Sequence, residues 1–301
     1  MKIALQTIIN MKRIIVLIIV LSLLFTFRSG SSATLQSNNA MLFNSIEKYY
    51  FIDKNHLRIM TYNLLSHEIG FDGIASHDRK NDIVSLINAV NPHILCLQEM
   101  SIDYYGALKS ETSLKFISPI SYFLSSTMTV LMYDPDRLNL IEYGTTAYRY
   151  STNPRLRSYT WGYFEDKKTK KCFLALNTHL NLYEQATAYP ILQATELIEF
   201  CKHKEEQYKC PVFISGDFNT MQSEEKQGGY AVYDYITLFY DDSKIASLSK
   251  SYGAAQGLSA PVNDYIFYSA ELDIISYILL SQPTLNMLSD HYPLFIDVDL
   301  S

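Results

Sequence analysis

Val212-Phe-Ile-Ser-Gly-Asp-Phe-Asn219 is an apolar run that stops at a glycine, a carboxylate and an amide. The run is short and rich in β-formers, so it reads as a buried strand. Gly216 permits close backbone approach where the chain turns. Asp217 and Asn219 then share one side of that turn. The pattern recurs along the chain. Leu57 to Asn63 is a strand candidate, His93 to Gln98 delivers Glu99 at its tip, and Cys172 to Asn177 delivers His179. Met128 to Tyr133 is another strand. Asp264 precedes the strand Tyr265 to Tyr268, and Ser289-Asp290-His291-Tyr292-Pro293 precedes Leu294 to Val298. An α/β fold exposes its chemistry at such strand ends.

Between the strands the period changes. Ile83, Leu86, Ile87 and Val90 fall at helical spacing, and that helix should end at Asn91-Pro92. Ile191, Ala194, Leu197, Ile198 and Cys201 make a second amphipathic face. Lys167, Lys168, Lys170 and Lys171 read as a solvated hairpin turn. The alternation predicts an α/β fold with two packed sheets, and the pattern does not set the strand order. No repeat or Pro/Gly/Ser tract interrupts residues 55–301, which read as one domain, with 34–54 as an exposed lead-in.

The chain has 301 residues, 48% hydrophobic and 19% charged, an ordinary globular balance. Lys12 and Arg13 precede the apolar run Ile14 to Phe27, followed by Arg28 and the small residues Ser29 to Ala33. That order reads as a secretory signal over residues 1–33, cleaved near Ala33. The run is shorter than the ~20 residues of a membrane span, so a secreted product is expected ahead of an uncleaved anchor. Residues 1–33 hold four basic side chains and no acid, so their removal moves the formal charge from −6 to −10. So acidic a chain does not grip polyanions through its net field, and a nucleic acid would need a local basic patch or bound cations. The 24 tyrosines and 15 phenylalanines could stack bases or enter a membrane, though most lie within apolar runs and read as core. Of four cysteines, Cys201 and Cys210 are the candidate disulfide, a short loop whose closure would add about 2–3 kcal/mol. Cys96 and Cys172 read as buried thiols.

The strand-end residues suit metal-assisted phosphoester hydrolysis. That reaction needs neutralised phosphoryl oxygens, an activated water and help for the departing oxygen. Mg²⁺ takes a few carboxylate oxygens and keeps several waters, with Mn²⁺ or Ca²⁺ as substitutes. Glu99 is a suitable ligand, and Asn63 could orient it or contact phosphate. His179 could bind a phosphoryl oxygen or protonate the leaving oxygen. Asp217 can hold the attacking water, and Asn219 can donate to phosphate. His291 could act as a base if a second acid fixes its tautomer, and Asp264 is the natural partner, leaving Asp290 for the metal side. Each residue alone has a plain structural reading; the set together points to chemistry.

In this order, Asn63, Glu99, Asn-Thr-His179, Gly-Asp217-Phe-Asn219, Asp264-Tyr-Ile-Phe and Ser-Asp290-His291 resemble the endonuclease/exonuclease/phosphatase superfamily over residues 57–299. The resemblance implies a four-layer α/β sandwich, two packed mixed β-sheets flanked by helices. It implies that Glu99, with Asn63, binds Mg²⁺ and that Asp290 sits near the metal. It also implies that His291 with Asp264 activates water or stabilises the phosphoryl group, and that Asp217, Asn219 and His179 handle nucleophile, phosphate and leaving group. The identity of the base stays open. Arg157 in Arg-Ser-Tyr-Thr-Trp161 matches a stretch common in secreted or bacterial members and would contact phosphate, although an ordinary surface arginine is the plainer reading. Leu65 stands where apurinic endonucleases carry an aspartate. The expected activity is therefore a secreted Mg²⁺-dependent phosphodiesterase, nucleic acid slightly preferred as substrate, acting as a monomer. A phospholipid or sphingomyelin phosphodiesterase or an inositol-polyphosphate phosphatase is the alternative, and a non-catalytic binding protein the third reading.

Overall fold

Strand β1 (Leu57–Asn63) is buried at every position, because it is central in its sheet and covered on both faces. The computed structural model describes residues 53, 55–65, 76–117, 128–151, 157–182, 188–220, 230–252, 263–269, 272–281 and 288–301. The expected signal segment and all of the expected lead-in except Asp53 lie outside these residues. One mixed sheet runs, in spatial order, β10 (Ser249–Tyr252), β12 (Asp273–Leu279), β13 (Leu294–Asp299), β1, β2 (Ile94–Met100), β4 (Met128–Tyr133) and β3 (Lys115–Phe116). The other runs β5 (Leu138–Ala147), β6 (Ser158–Asp166), β7 (Cys172–His179), β8 (Val212–Asp217), β11 (Asp264–Tyr268) and β9 (Asp241–Asp242). β1 pairs parallel with β2 and antiparallel with β13, and β7 pairs parallel with β8.

The sheets pack face to face. Ile59, Ile94, Cys96 and Ile296 from one meet Phe164, Phe173, Phe213 and Ile266 from the other, all fully buried. Each such side chain contributes roughly 1.5–3 kcal/mol relative to exposure. Helices α1 (Ser76–Val90) and α2 (Ile102–Glu111) cover the outer face of the first sheet, through Ile83, Leu86, Ile87 and Tyr104 against Met60, Tyr62 and Leu95. Helices α3 (Tyr189–Tyr208) and α4 (Tyr230–Thr237) cover the second, through Ala194, Leu197, Ile198 and Ile236 against Leu174, Leu176 and Ile214. A short α5 (Ser243–Ala246) completes the helices described. The layers run helix, sheet, sheet, helix, the sandwich that the sequence implied. No helix among the described residues is long and apolar enough to cross a membrane.

Local signals hold where they were sharp. α1 ends at Val90 because Asn91 turns left-handed (φ 52°) ahead of Pro92. α3 begins with Pro190 in its first turn and ends at Lys209, left-handed, whose N–H returns to the Glu205 carbonyl. The cysteine pairing is corrected: all four thiols are free. Cys201 is buried on the inward face of α3. The register that pairs Leu174 with Val212 sets Cys210 across from Cys172 instead.

Candidate active site

Three adjacent strands of the second sheet bring His179, Asp217 and Asp264 into one row. His179 at the end of β7 lies opposite Asp217 at the end of β8, which lies opposite Asp264 at the start of β11. Gly216 makes this possible: its φ is 146°, and a Cβ there would sit 2.1 Å from the Thr178 carbonyl oxygen. Any side chain at 216 would push β7 and β8 apart just below the site. From the first sheet, the end of β1 contributes Asn63 and the end of β2 contributes Glu99. Glu99 sits in a bulge where the β2–β4 register shifts between Leu97 and Met100, with its backbone left-handed (φ 52°). Asn177 holds that bulge from the other sheet, its amide donating to the carbonyls of Leu97 (2.8 Å) and Val130 (2.6 Å) while its oxygen accepts from Gln98 (2.7 Å).

The two halves of the site meet at Asp217, which is fully buried. Its Oδ2 accepts from the Asn63 amide (3.0 Å) and lies 3.3 Å from His179 Nε2 and 3.8 Å from His291 Nε2. Its Oδ1 accepts from the backbone N–H of Asn219 (2.9 Å). Burial pushes the Asp217 carboxyl up, but His179, His291 and the Asn219 N–H together hold it well below the usual carboxylate range. His291 Nδ1 is 2.6 Å from Asp264 Oδ2. Burial lowers the His291 imidazole, and the Asp264 carboxylate overrides it, raising the ring to about 10. Burial raises Asp264. Its Oδ1 is buried and has no hydrogen-bond partner among the described residues.

Arg157 corrects the plainer surface reading. It is half-buried, and its Nη1 lies 2.9 Å from His179 Nδ1. An arginine N–H can only donate, so Nδ1 accepts and the His179 proton sits on Nε2, aimed at Asp217. Burial lowers the Arg157 guanidinium, and the Asp217 and Glu99 carboxylates oppose that shift. Asn63 makes orienting contacts on both sides. Its amide donates to Glu99 (3.2 Å) and to Asp217, and its oxygen accepts from the Leu65 N–H (3.1 Å). Asn219 commits one amide hydrogen to the Leu180 carbonyl (2.8 Å), so it fixes the turn as well as facing the site. Asp290 lies exposed at the rim, 3.4 Å from the Ser289 hydroxyl. Sequence reasoning passed over Arg79 of α1, a buried guanidinium behind the site; a basic residue heading an apolar helix face was its signal.

Four carboxylates face this cleft against Arg157 and His291 as cations, a hard-oxygen set that fits a divalent ion such as Mg²⁺. Ligand atoms of Asp217, Asp264 and His291 all lie within 4.8 Å of one another. That trio is already tied by the short His291–Asp264 bond and the contacts to Asp217. The more accessible carboxylates of Glu99 and Asp290 are therefore the better seats for the ion.

No family model matches the sequence, and a search of curated proteins finds no match. Solved structures do match. An endonuclease/exonuclease/phosphatase of Bacteroides vulgatus superposes with TM-score 0.68 at 20% identity, covering 82% of this chain and 100% of that one. The chain has the endonuclease/exonuclease/phosphatase fold. A mannosyl-6-phosphatase of Bacteroides thetaiotaomicron shares that fold with TM-score 0.67 at 19% identity, over 80% of this chain and 99% of its own. The human Nocturnin catalytic domain, with a bound sulfate anion, shares it with TM-score 0.62 at 23% identity, over 82% and 95%. In this endonuclease/exonuclease/phosphatase fold the residues gathered above stand at one edge of the paired sheets.

Proposed function

We propose that the chain is a secreted, Mg²⁺-dependent phosphoester hydrolase. The observation that carries this reading is the meeting of Asn63, His179, Asp264 and His291 around one buried, ionised carboxylate, Asp217, beside the carboxylates of Glu99 and Asp290. A bound Mg²⁺ would neutralise the phosphoryl oxygens, with Glu99 and Asp290 holding it. Asp217 stays anionic at neutral pH and orients the attacking water. Asp264 holds the Nδ1 side of His291 and raises the ring, which leaves Nε2 toward Asp217 and the site, where it can donate to a phosphoryl oxygen. Arg157 supplies a cationic wall on which a phosphoryl oxygen can rest, and the neutral His179 beside it offers its Nε2–H as a further donor.

Two substrate classes remain in competition. A phosphodiester, nucleic acid foremost, fits the same apparatus. A phosphomonoester on a sugar is favoured by the acidic balance of the chain and by the fold it shares with a mannosyl-6-phosphatase. The deciding experiment offers the protein single-stranded DNA, duplex DNA, RNA, sphingomyelin, an inositol polyphosphate and mannose 6-phosphate in Mg²⁺, with and without chelator. Chelator-sensitive turnover of one class names the substrate. Silence on all, with Mg²⁺ binding absent, would overturn the reading.

A further inference from the structure

Arg79 projects from the first turns of α1 into the layer between that helix and the first sheet, and its side chain is 1% exposed. A buried guanidinium normally meets a carboxylate. Here, among the described residues, its bonds go to backbone carbonyls: Nη1 donates to Leu64 (3.1 Å) and to Leu288, and Nη2 donates to Leu65 (2.6 Å). Leu64 and Leu65 directly follow Asn63. Leu288 directly precedes Ser289-Asp290-His291. The guanidinium thus binds both the segment that follows Asn63 and the segment that precedes Asp290 and His291. Ser289 runs in parallel, its hydroxyl donating to the Asn63 carbonyl (2.7 Å) and accepting from the His291 N–H (3.1 Å).

We propose that Arg79 is a positioning residue that locks the Asn63 turn and the Asp290–His291 turn into one unit. The site depends on that lock. Asn63 must reach both Glu99 and Asp217 from β1, while His291 must reach Asp264 from the segment before β13, and neither segment belongs to the sheet that holds Asp217. Leu65 is left-handed (φ 52°), a conformation that a leucine keeps only under constraint. The Arg79 bond to its carbonyl and the Asn63 bond to its N–H supply that constraint. The planar guanidinium presents several N–H groups in fixed directions and so reaches three carbonyls at once; an ammonium on a flexible stem does not.

The test is Arg79→Lys, which keeps the charge and most of the volume, followed by amide hydrogen exchange in the metal-free protein. The expected result is faster exchange by about tenfold at both Leu65 and His291, in step, as bonds to a charged group are lost. Amides of β6, β7 and α3 should exchange as in the wild type. Mg²⁺ affinity, read by calorimetry, should fall by about tenfold, as when a group that orients a ligand is removed. Unchanged exchange, a response in only one segment, or uniform acceleration with a lowered melting temperature would each overturn the proposal. The role assigned to Arg79 rests on the hydrolase reading, but the exchange result does not. If the wild type hydrolyses no phosphoester while the two amides still respond together, the function fails and the lock stands.

Discussion

β1 carries a buried charge cluster at each end, and the two are built on opposite plans. At its start, Arg58 pairs with Asp297 of β13 through two bonds of 2.7 and 2.9 Å. The third nitrogen donates to the Val90 carbonyl, Ser276 donates to Asp297, and the Phe295 ring lies 4.7 Å from the guanidinium. Every group there is answered by another protein group, and one cation meets one anion. At its end, Asn63 opens onto Glu99, Asp217, Asp264 and Asp290, and the Asp264 Oδ1 is left without a partner among the described residues. A closed pair anchors the sheet. An open set in which acids outnumber bases is completed by something outside the chain, and a hard cation with a phosphoester is what its oxygens and cationic wall suit.

The contrast breaks if either end behaves like the other. The largest effect should come from His291→Ala, which removes a charge-assisted donor from the site. Turnover per folded molecule should fall by about 10³-fold, measured by steady-state kinetics with the folded fraction read by thermal unfolding on the same preparation. Asp297→Ala should do the reverse. It strands a buried guanidinium and should cost about 3–5 kcal/mol in denaturant unfolding, while the folded fraction keeps wild-type turnover.

A titration sharpens the comparison. His291 has a folded pKa raised to about 10 by Asp264, so its contribution to stability is fully present below the imidazole's unfolded pKa of about 6.5 and is lost as pH rises through about 10. Without metal, the wild type should lose melting temperature across that window faster than His291→Ala does. Parallel curves would show that the Asp264 pairing contributes nothing. The smallest effect belongs to Glu99→Gln, whose fold and metal-free stability should stay near wild type while the rise in melting temperature on adding Mg²⁺ shrinks. A rise equal to that of the wild type would remove Glu99 from the metal.

Much of the open end was legible in the sequence, because β1, β2, β7, β8 and β11 are apolar runs that break off at one chemically loaded residue each. Their burial on both faces produces an uninterrupted hydrophobic pattern, and a polar side chain at its edge stands out. Less was legible where burial is one-sided. β5 is an edge strand with Ile141 and Tyr143 more than half exposed, so its pattern is diluted and the β5–β6 hairpin was not anticipated. The closed end was also missed, since Arg58 and Asp297 are far apart in sequence and only the β1–β13 register brings them together. Arg157 was undervalued for the same reason: its meaning comes from His179, across the β6–β7 pairing. The disulfide expectation failed because nearness along the chain is not nearness across a sheet, and α3 turns Cys201 inward before β8 begins.

The central claim is that catalysis belongs to the open end of β1 and stability to the closed end. The most direct measurement follows hydrolysis of bis(4-nitrophenyl) phosphate and 4-nitrophenyl phosphate in Mg²⁺ by the wild type, His291→Ala and Asp297→Ala side by side, with and without chelator. The account predicts chelator-sensitive release of nitrophenol by the wild type, its loss in His291→Ala, and its retention per folded molecule in Asp297→Ala. Turnover that survives His291→Ala, or that disappears from fully folded Asp297→Ala alone, would contradict it.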